Sequence, residues 1–453
     1  MKKTTSILLF LLSTSFIFGQ TPVQSYFEWT DLPFSKEELN QRRQNLLSTL
    51  VKQQKSGLVV IPANDGFTSG ETFRQADDFY YFTGLELPNA LLVLDLGDQS
   101  SVIYAPERDL RFENGSRAND FPGRPFLSDK TIAERAGIPL VSIDDFAALM
   151  HTRALKSSTI FINNGRHGPI KFASDDYIAT HSPIQVLLQA LKSKHSGLKY
   201  ENIFGSIASI RMIKSPSEIK IMRTSASITV EGIKHAAKKI RAGVDERYLE
   251  GILEGNYKVN GSHRLAFGSI IKSGPNSLWP WRILATHYNR RNRVLENGDL
   301  VIFDVGCEYK QYVSDIGRTF PVSGKFSARQ KEILIMETKI ADEIIRFLKP
   351  GITFKDIKAL TDSIIPKEAK KYMQVGLFFG HHLGLSTGDP SLSNATLQPG
   401  MIFTVEPWYY NHDENISVFT EDMILITKGG SEVLSAGLPR TPEALEAMVK
   451  RAE

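Results

Sequence analysis

Four segments of the chain carry acidic or imidazole side chains where the local pattern asks for hydrophobes. In LVIFDVGCEYKQYVSDIGRTFPV, residues 300–322, Asp304 interrupts an apolar run of the kind buried on both faces of a sheet. Asp315 falls in a second strand-like run after the break at Gly306. Two strands joined this closely predict a hairpin that sets Asp304 and Asp315 side by side, although 11 residues separate them. In FFGHHLGLSTGDP, His381 and His382 stand between Gly380 and Gly384, where the backbone can turn and approach closely. In GMIFTVEPWYY, Glu406 closes a strand on the face it shares with Ile402 and Thr404. In SVFTEDMILIT, Glu421 and Asp422 break an otherwise apolar strand.

A buried ionised carboxylate is costly without a cation, and two together call for a cation or a shared proton. Taken alone, Asp304 and Asp315 read equally well as turn-capping residues at opposite ends of a hairpin. Recurrence of the same anomaly in four segments favours the chemical reading. One histidine with four carboxylates is an oxygen-rich set that suits two divalent ions of the manganese, cobalt, iron or zinc kind, not a thiolate-type structural zinc. Two such ions about 3.5–4 Å apart can share a hydroxide and polarise a carbonyl, the arrangement of metal-assisted hydrolysis.

The elements that must position these residues fall into two groups. A charged helix from about Phe34 carries Leu39, Leu46, Leu47 and Leu50 on one stripe. Strand-like runs follow at Gly57–Ala63, Ser101 and Thr159, with helical material between them, which predicts an α/β unit closing near Gln189–Gly197. Ser215-Pro216-Ser217-Glu218 opens a long helix that runs to Gly243. Further helices are predicted over 245–259, 328–348 and 354–371, grouped with strands in an α+β pattern.

The chain has 453 residues, 42% hydrophobic and 23% charged, which suits two globular domains. A net charge of +4 excludes a nucleic-acid footprint. Lys2 and Lys3 precede an apolar run from Ile7 to Phe18, the layout of a secretory signal peptide over residues 1–20; an uncleaved anchor is the alternative. We therefore expect an exported protein, periplasmic or secreted, free of the membrane once the signal is removed. Cys307 is the only cysteine, so no intrachain disulfide forms.

Taken together, the Asp304/Asp315 pair, GHHLGL, PGMIFTVEP and TEDMILIT resemble the pita-bread metallohydrolases, the family of methionine aminopeptidase, aminopeptidase P, prolidase and creatinase. The approach segment SGPNS…ATHYNRRNRVLENGDLVIFDVG is similar as well. The first half, GLVVIPA…FRQADDFYYFTGLELPNALLVL, resembles the N-terminal domain of the aminopeptidase P branch. The resemblance implies a creatinase-like α/β domain over residues 21–197, a pita-bread α+β catalytic domain over 198–453, and a homodimer or homotetramer. It implies two metal ions, manganese first, with cobalt, zinc or iron as alternatives. Asp304 would hold one ion, His381 the other, with Asp315 and Glu421 bridging. Glu406 would be both a ligand and the base for the bridging water, whose hydroxide attacks. His287 would contact substrate and steady the oxyanion.

The chain departs from the aminopeptidase P and prolidase pattern at three positions. Leu377 and Gly388 stand where the family carries histidines, and Phe419 where it carries an arginine. His382 or His412 could replace a lost substrate-binding histidine. These changes bear on proline specificity more than on hydrolysis. The expected activity is an aminopeptidase removing an N-terminal residue that precedes proline. The alternatives are a prolidase-type dipeptidase that grips a substrate carboxylate through Arg290, Arg291 or Arg293, a non-catalytic binding protein on the same scaffold, and a phosphoester or amidine hydrolase.

Overall fold

A computed structural model describes residues 32–65, 73–107, 127, 130–165, 182–278, 292–373 and 380–449. The predicted signal peptide, His287, Arg290, Arg291 and Leu377 lie outside the described residues. Among the described residues no helix is long and apolar enough to cross a membrane.

The first half contains α1 (Lys36–Lys52), β1 (Leu58–Pro62), α2 (Asp77–Thr83), β2 (Leu91–Asp95), β3 (Ser101–Ala105), α3 (Lys130–Ala136), β4 (Leu140–Ser142), α4 (Asp144–Leu155), β5 (Thr159–Ile162), α5 (Pro183–Lys194) and β6 (Lys199–Asn202). In α1 the side chain of Ser35 caps the Glu38 amide, and Leu39, Leu46, Leu47 and Leu50 are all buried, as their spacing predicts. Arg42 and Arg43, which lie on the same helix face as those leucines, are buried too despite their charge. They donate to the Tyr81 and Phe82 carbonyls, and so pin α1 to α2. The strands form one mixed sheet in the order β4-β3-β2-β1-β5-β6. Alternation along β1 serves both faces: Leu58 and Val60 pack with Phe146, Met150 and Leu188, while Val59 and Ile61 face the main core. Because β6 pairs with β5, this unit extends to Asn202 and the boundary expected at Gly197 falls inside it.

The second half continues with α6 (Phe204–Arg211), α7 (Pro216–Ala237), α8 (Glu246–Val259), β7 (Arg264–Leu265), β8 (Ile270–Ser273), β9 (Leu300–Val305), β10 (Cys307–Tyr309), β11 (Tyr312–Val313) and β12 (Ile316–Pro321). It ends with α9 (Ala328–Phe347), α10 (Phe354–Ile364), β13 (Ile402–Val405), β14 (Trp408–Asn411), β15 (Ile416–Phe419), β16 (Asp422–Ile426), β17 (Ser431–Val433) and α11 (Pro442–Val449). Ser215 and Glu218 close a capping box around Pro216 at the start of α7. That helix stops at Ala237, short of Gly243, whose φ of +87° belongs to a later turn. α10 ends at Ile364 instead of running to Lys371, because Ile365 precedes Pro366 and that neighbour disfavours helical backbone. The recorded strand pairs of this half are antiparallel, which makes it α+β beside an α/β partner.

The central hairpin is more elaborate than two simple strands. β9 and β12 pair with Asp304 opposite Gly317 and Val305 opposite Ile316. At Gly306 the chain leaves that sheet, since a Cβ there would lie 1.9 Å from the Ser314 carbonyl oxygen. β10 then pairs with β11 on one side and β7 on the other in a separate sheet. The turn joining β10 to β11 holds Lys310 and Gln311 at φ +48° and +65°, both left-handed and neither glycine. Contacts from the first domain brace it: Tyr80 donates to the Lys310 carbonyl, and Gln311, itself buried, donates to Glu86.

Candidate metal centre

Four strands deliver the carboxylates to one place. Asp304 lies in β9, Asp315 directly precedes β12, Glu406 directly follows β13, and Glu421 directly precedes β16. Gly317 and Glu421 exchange backbone hydrogen bonds of 3.2 and 3.0 Å, which close the gap between the two halves of the cage. His381 arrives from the turn after Gly380. Its backbone amide donates to Thr404 Oγ1 at 3.2 Å, and that hydroxyl donates in turn to Glu406 Oε1 at 3.0 Å. His381 Nε2 lies 3.4 Å from Asp315 Oδ2 and 3.8 Å from Glu406 Oε1. Asp315, His381 and Glu421 each offer a ligand atom, all within 4.8 Å of one another.

Gly380 makes this approach feasible. Its φ is +60°, and a Cβ would sit 1.7 Å from Thr404 Oγ1 and 2.3 Å from Glu406 Oε1. Gly380→Ala is expected to cost about 1–2 kcal/mol from the left-handed backbone alone. It should also displace Glu406. Thermal denaturation with metal assay should show a lower Tm together with reduced metal content, whereas a loss of Tm alone would make the glycine merely structural.

The electrostatics describe a cage short of positive charge. Burial pushes the Asp304 carboxyl up to about 7. Burial, with the Asp304 charge added, takes Glu406 up to about 8. Asp315 and Glu421 are raised well above the usual carboxylate range, first by burial and then by the neighbouring acidic groups. Burial lowers His381, favouring the neutral ring that ligates metal. Asp315 Oδ1 and Glu421 Oε2 are buried with no hydrogen-bond partner among the described residues. Buried polar atoms ordinarily have partners, and a divalent cation among these oxygens would supply one. The donor set, four carboxylates and one imidazole, fits two such ions.

Asp422, the other acid of that strand, does different work. It accepts from Arg318 at 2.7 Å, and Arg318 also donates to the carbonyls of Gly317, Glu421, Leu438 and Pro439. The arginine therefore ties the Glu421 carbonyl to the Gly317 strand and to the Leu438–Pro439 backbone. Arg318 and the Thr404 bridge are absent from the sequence reading. Thr404 is legible there only as a neighbour on the Glu406 face.

Of the other expected site residues, His382 is buried with its ring 5.4 Å from Phe354 and 5.7 Å from Phe403, on the opposite side of the backbone from the cage. His412 is exposed in the turn joining β14 to β15, at the far end of the hairpin from Glu406 and Glu421. The fold brings neither to the carboxylates. Phe419 is fully buried against Trp408, ring centroids 4.2 Å apart, and its edge would lie 2.1 Å from a Cβ on Gly317. Glycine at one position thus makes room for the aromatic at the other. Gly388, by contrast, faces open space and lines a cavity of about 370 Å³ between the two domains.

Comparison with known proteins meets this geometry at both domains. Residues 220–428 match metallopeptidase family M24, and residues 39–114 match the aminopeptidase P N-terminal domain. The chain belongs to the aminopeptidase P family. It is 29% identical to the Xaa-Pro aminopeptidase of Escherichia coli over 92% of this chain and 98% of that one. It is 28% identical to the mitochondrial intermediate cleaving peptidase 55 of Arabidopsis thaliana over 83% and 75% of the two chains. Two solved variants of Escherichia coli aminopeptidase P, one of them in complex with substrate, superpose with TM-scores of 0.75 and 0.74. Each is 26% identical and covers 92% of this chain and 98% of its own. The pita-bread fold, the metallo-aminopeptidase activity and a dinuclear divalent metal site follow from this membership, as the sequence reading expects.

Proposed function

We propose that this aminopeptidase P family member releases the N-terminal residue of peptides with proline in second position, and that manganese is its working ion. The observation that carries the reading is the convergence of Asp304, Asp315, Glu406 and Glu421 on His381, in a chain similar over nearly its whole length to Xaa-Pro aminopeptidases. Those five residues would hold the ion pair, which supplies positive charge for the developing oxyanion and lowers the pKa of the attacking water. Glu406, held by the Thr404 hydroxyl, accepts the proton of that water and passes it to the leaving amine. His287, outside the described residues, is assigned the oxyanion by resemblance. Asp304→Ala in the same cage should leave one ion per chain.

One observation favours the aminopeptidase over the dipeptidase. Arg293, the described member of the three candidate carboxylate-binding arginines, is already paired with Asp299 and bonded to Ser273. It is not available for a substrate carboxylate, so peptide length should not be restricted through it. Hydrolysis of Ala-Pro-Ala-Ala by manganese-loaded protein, with or without Ala-Pro, is the expected result. Cleavage of Ala-Pro alone would move the assignment to prolidase. Failure on both with two ions bound would trace to the altered positions Leu377, Gly388 and Phe419. We also propose export through residues 1–20 and a homodimer or homotetramer, read out by the mass of the processed protein and by its size in solution.

A further inference from the structure

The turn that carries His381 is held from behind by a buried ion network. Asp389 is fully buried and accepts from Arg211 at 2.5 Å and from Lys214 at 3.2 Å, and both cations are buried as well. Burial alone would raise its carboxyl, but the charges of Arg211 and Lys214 outweigh that and hold it below the usual range. The same aspartate closes the turn on itself. Its amide donates to the His382 carbonyl at 3.1 Å, its Oδ1 accepts from the Leu385 amide at 3.2 Å, and a Cβ on Gly384 would sit 2.5 Å from its Cγ.

Arg211 reaches the first domain with its remaining donors, to Asp78 at 2.7 Å and Asp77 at 3.4 Å. Asp77 in turn pairs with Arg74 at 2.7 Å. Arg74 donates to the Leu385 carbonyl of the His381 turn and to Glu308 of β10 at 2.6 Å. The Val313 amide donates to the Gly384 carbonyl at 2.9 Å, joining the hairpin to the turn. The start of α2 is therefore tied to both parts of the cage, the His381 turn through Arg211 and Asp389 and the aspartate hairpin through Arg74 and Glu308.

We propose that Asp77 and Asp78 of the first domain, acting through Arg211 and Asp389, are positioning residues for the metal centre and set the affinity of the ion held by His381. The inference rests on the metal-centre reading above. Supports behind a ligating histidine typically change metal affinity 10–100-fold when removed. Asp389→Asn leaves Arg211 and Lys214 buried without their shared counter-charge and is prone to misfold. The test therefore uses Asp77→Asn/Asp78→Asn, whose carboxylates lie at the domain boundary and are partly exposed.

Metal-free wild type and double variant are titrated with Mn²⁺ by calorimetry and with Co²⁺ by visible absorption. The expected result is about tenfold weaker binding of one of the two ions with the other unchanged, together with an altered Co²⁺ spectrum. Restoring charge with Asp77→Glu/Asp78→Glu should recover part of the affinity. Unchanged affinities and spectrum with only a lower Tm would overturn the proposal and leave the network as domain glue. Failure of the wild type to bind two ions would instead overturn the metal-centre reading, and this inference with it.

Discussion

Asp315→Ala abolishes binding of the metal pair and lowers kcat/KM on Ala-Pro-Ala-Ala by at least about 10³-fold, because the aspartate stands between the two halves of the cage. Its neighbours in contact are Asp304, His381 and Glu421. The sign of the stability change makes this more than an inactivation test. In the metal-free fold the Asp315 carboxyl is raised well above its usual range by burial and by Asp304 and Glu406, so it burdens that fold instead of supporting it. The metal-free variant should melt at or above the wild-type temperature at pH 8, while only the wild type gains from added Mn²⁺. Retained metal by elemental analysis, or a metal-free Tm well below wild type, would remove Asp315 from the centre of the site.

Metal binding is expected to tighten steeply with pH. Asp304, pushed up to about 7, and Glu406, pushed up to about 8, both hold protons at pH 6 in the metal-free protein. Ions that need them ionised must displace those protons. Each displaced proton gives about a tenfold gain in apparent affinity per pH unit while its group stays protonated. Asp304 and Glu406 alone therefore give about a hundredfold per unit below 7, and Asp315 and Glu421, also raised well above the usual range, add to it. Calorimetry in buffers of different ionisation enthalpy should show proton release that shrinks over the same range. For stability the direction is opposite. A carboxyl raised from 3.8 or 4.5 in the unfolded chain favours the fold only at acid pH, and that contribution is lost progressively as pH climbs from those values and is gone above about 7 and 8. The rise in Tm on adding saturating Mn²⁺ should therefore grow from pH 5 to pH 8. A pH-independent increment would mean that the cage is already ionised without metal.

What the sequence discloses and what it hides divide along a physical line. The five cage residues are legible because each breaks a local pattern: a charge inside an apolar strand, or a histidine set among glycines. α1 and its leucine stripe are legible for the same reason, since periodicity is local. Hidden are the contacts made between distant segments. Arg42 and Arg43 fall within the leucine stripe on a helical wheel, but nothing local says that α2 offers their guanidinium groups buried carbonyls. Arg318 and Asp389 read as ordinary charged residues until the strands around them are assembled. His382 shows the converse error. Its place beside His381 suggests a shared role, but adjacent residues in extended chain face opposite ways, and its ring enters the core with Phe354 and Phe403. The splitting of the hairpin at Gly306 is visible only as a glycine, with nothing in the one-dimensional pattern to say that the tip joins another sheet.

The left-handed turn at Lys310 and Gln311 has a consequence for the order of folding. Two non-glycine residues in that region cost about 1–2 kcal/mol each, and the bonds from Tyr80 and Glu86 that hold them come from sequence positions more than 200 residues earlier. The hairpin tip between the two aspartates is thus poorly specified by its own residues and is completed only against a first domain that already exists. Long-range closure of this kind is slow, and the domain that emerges first in synthesis is the one that waits as the mould. The metal cage, built on that hairpin, is therefore expected to order after the first domain, and refolding followed by metal uptake should show the uptake lagging behind formation of the first sheet.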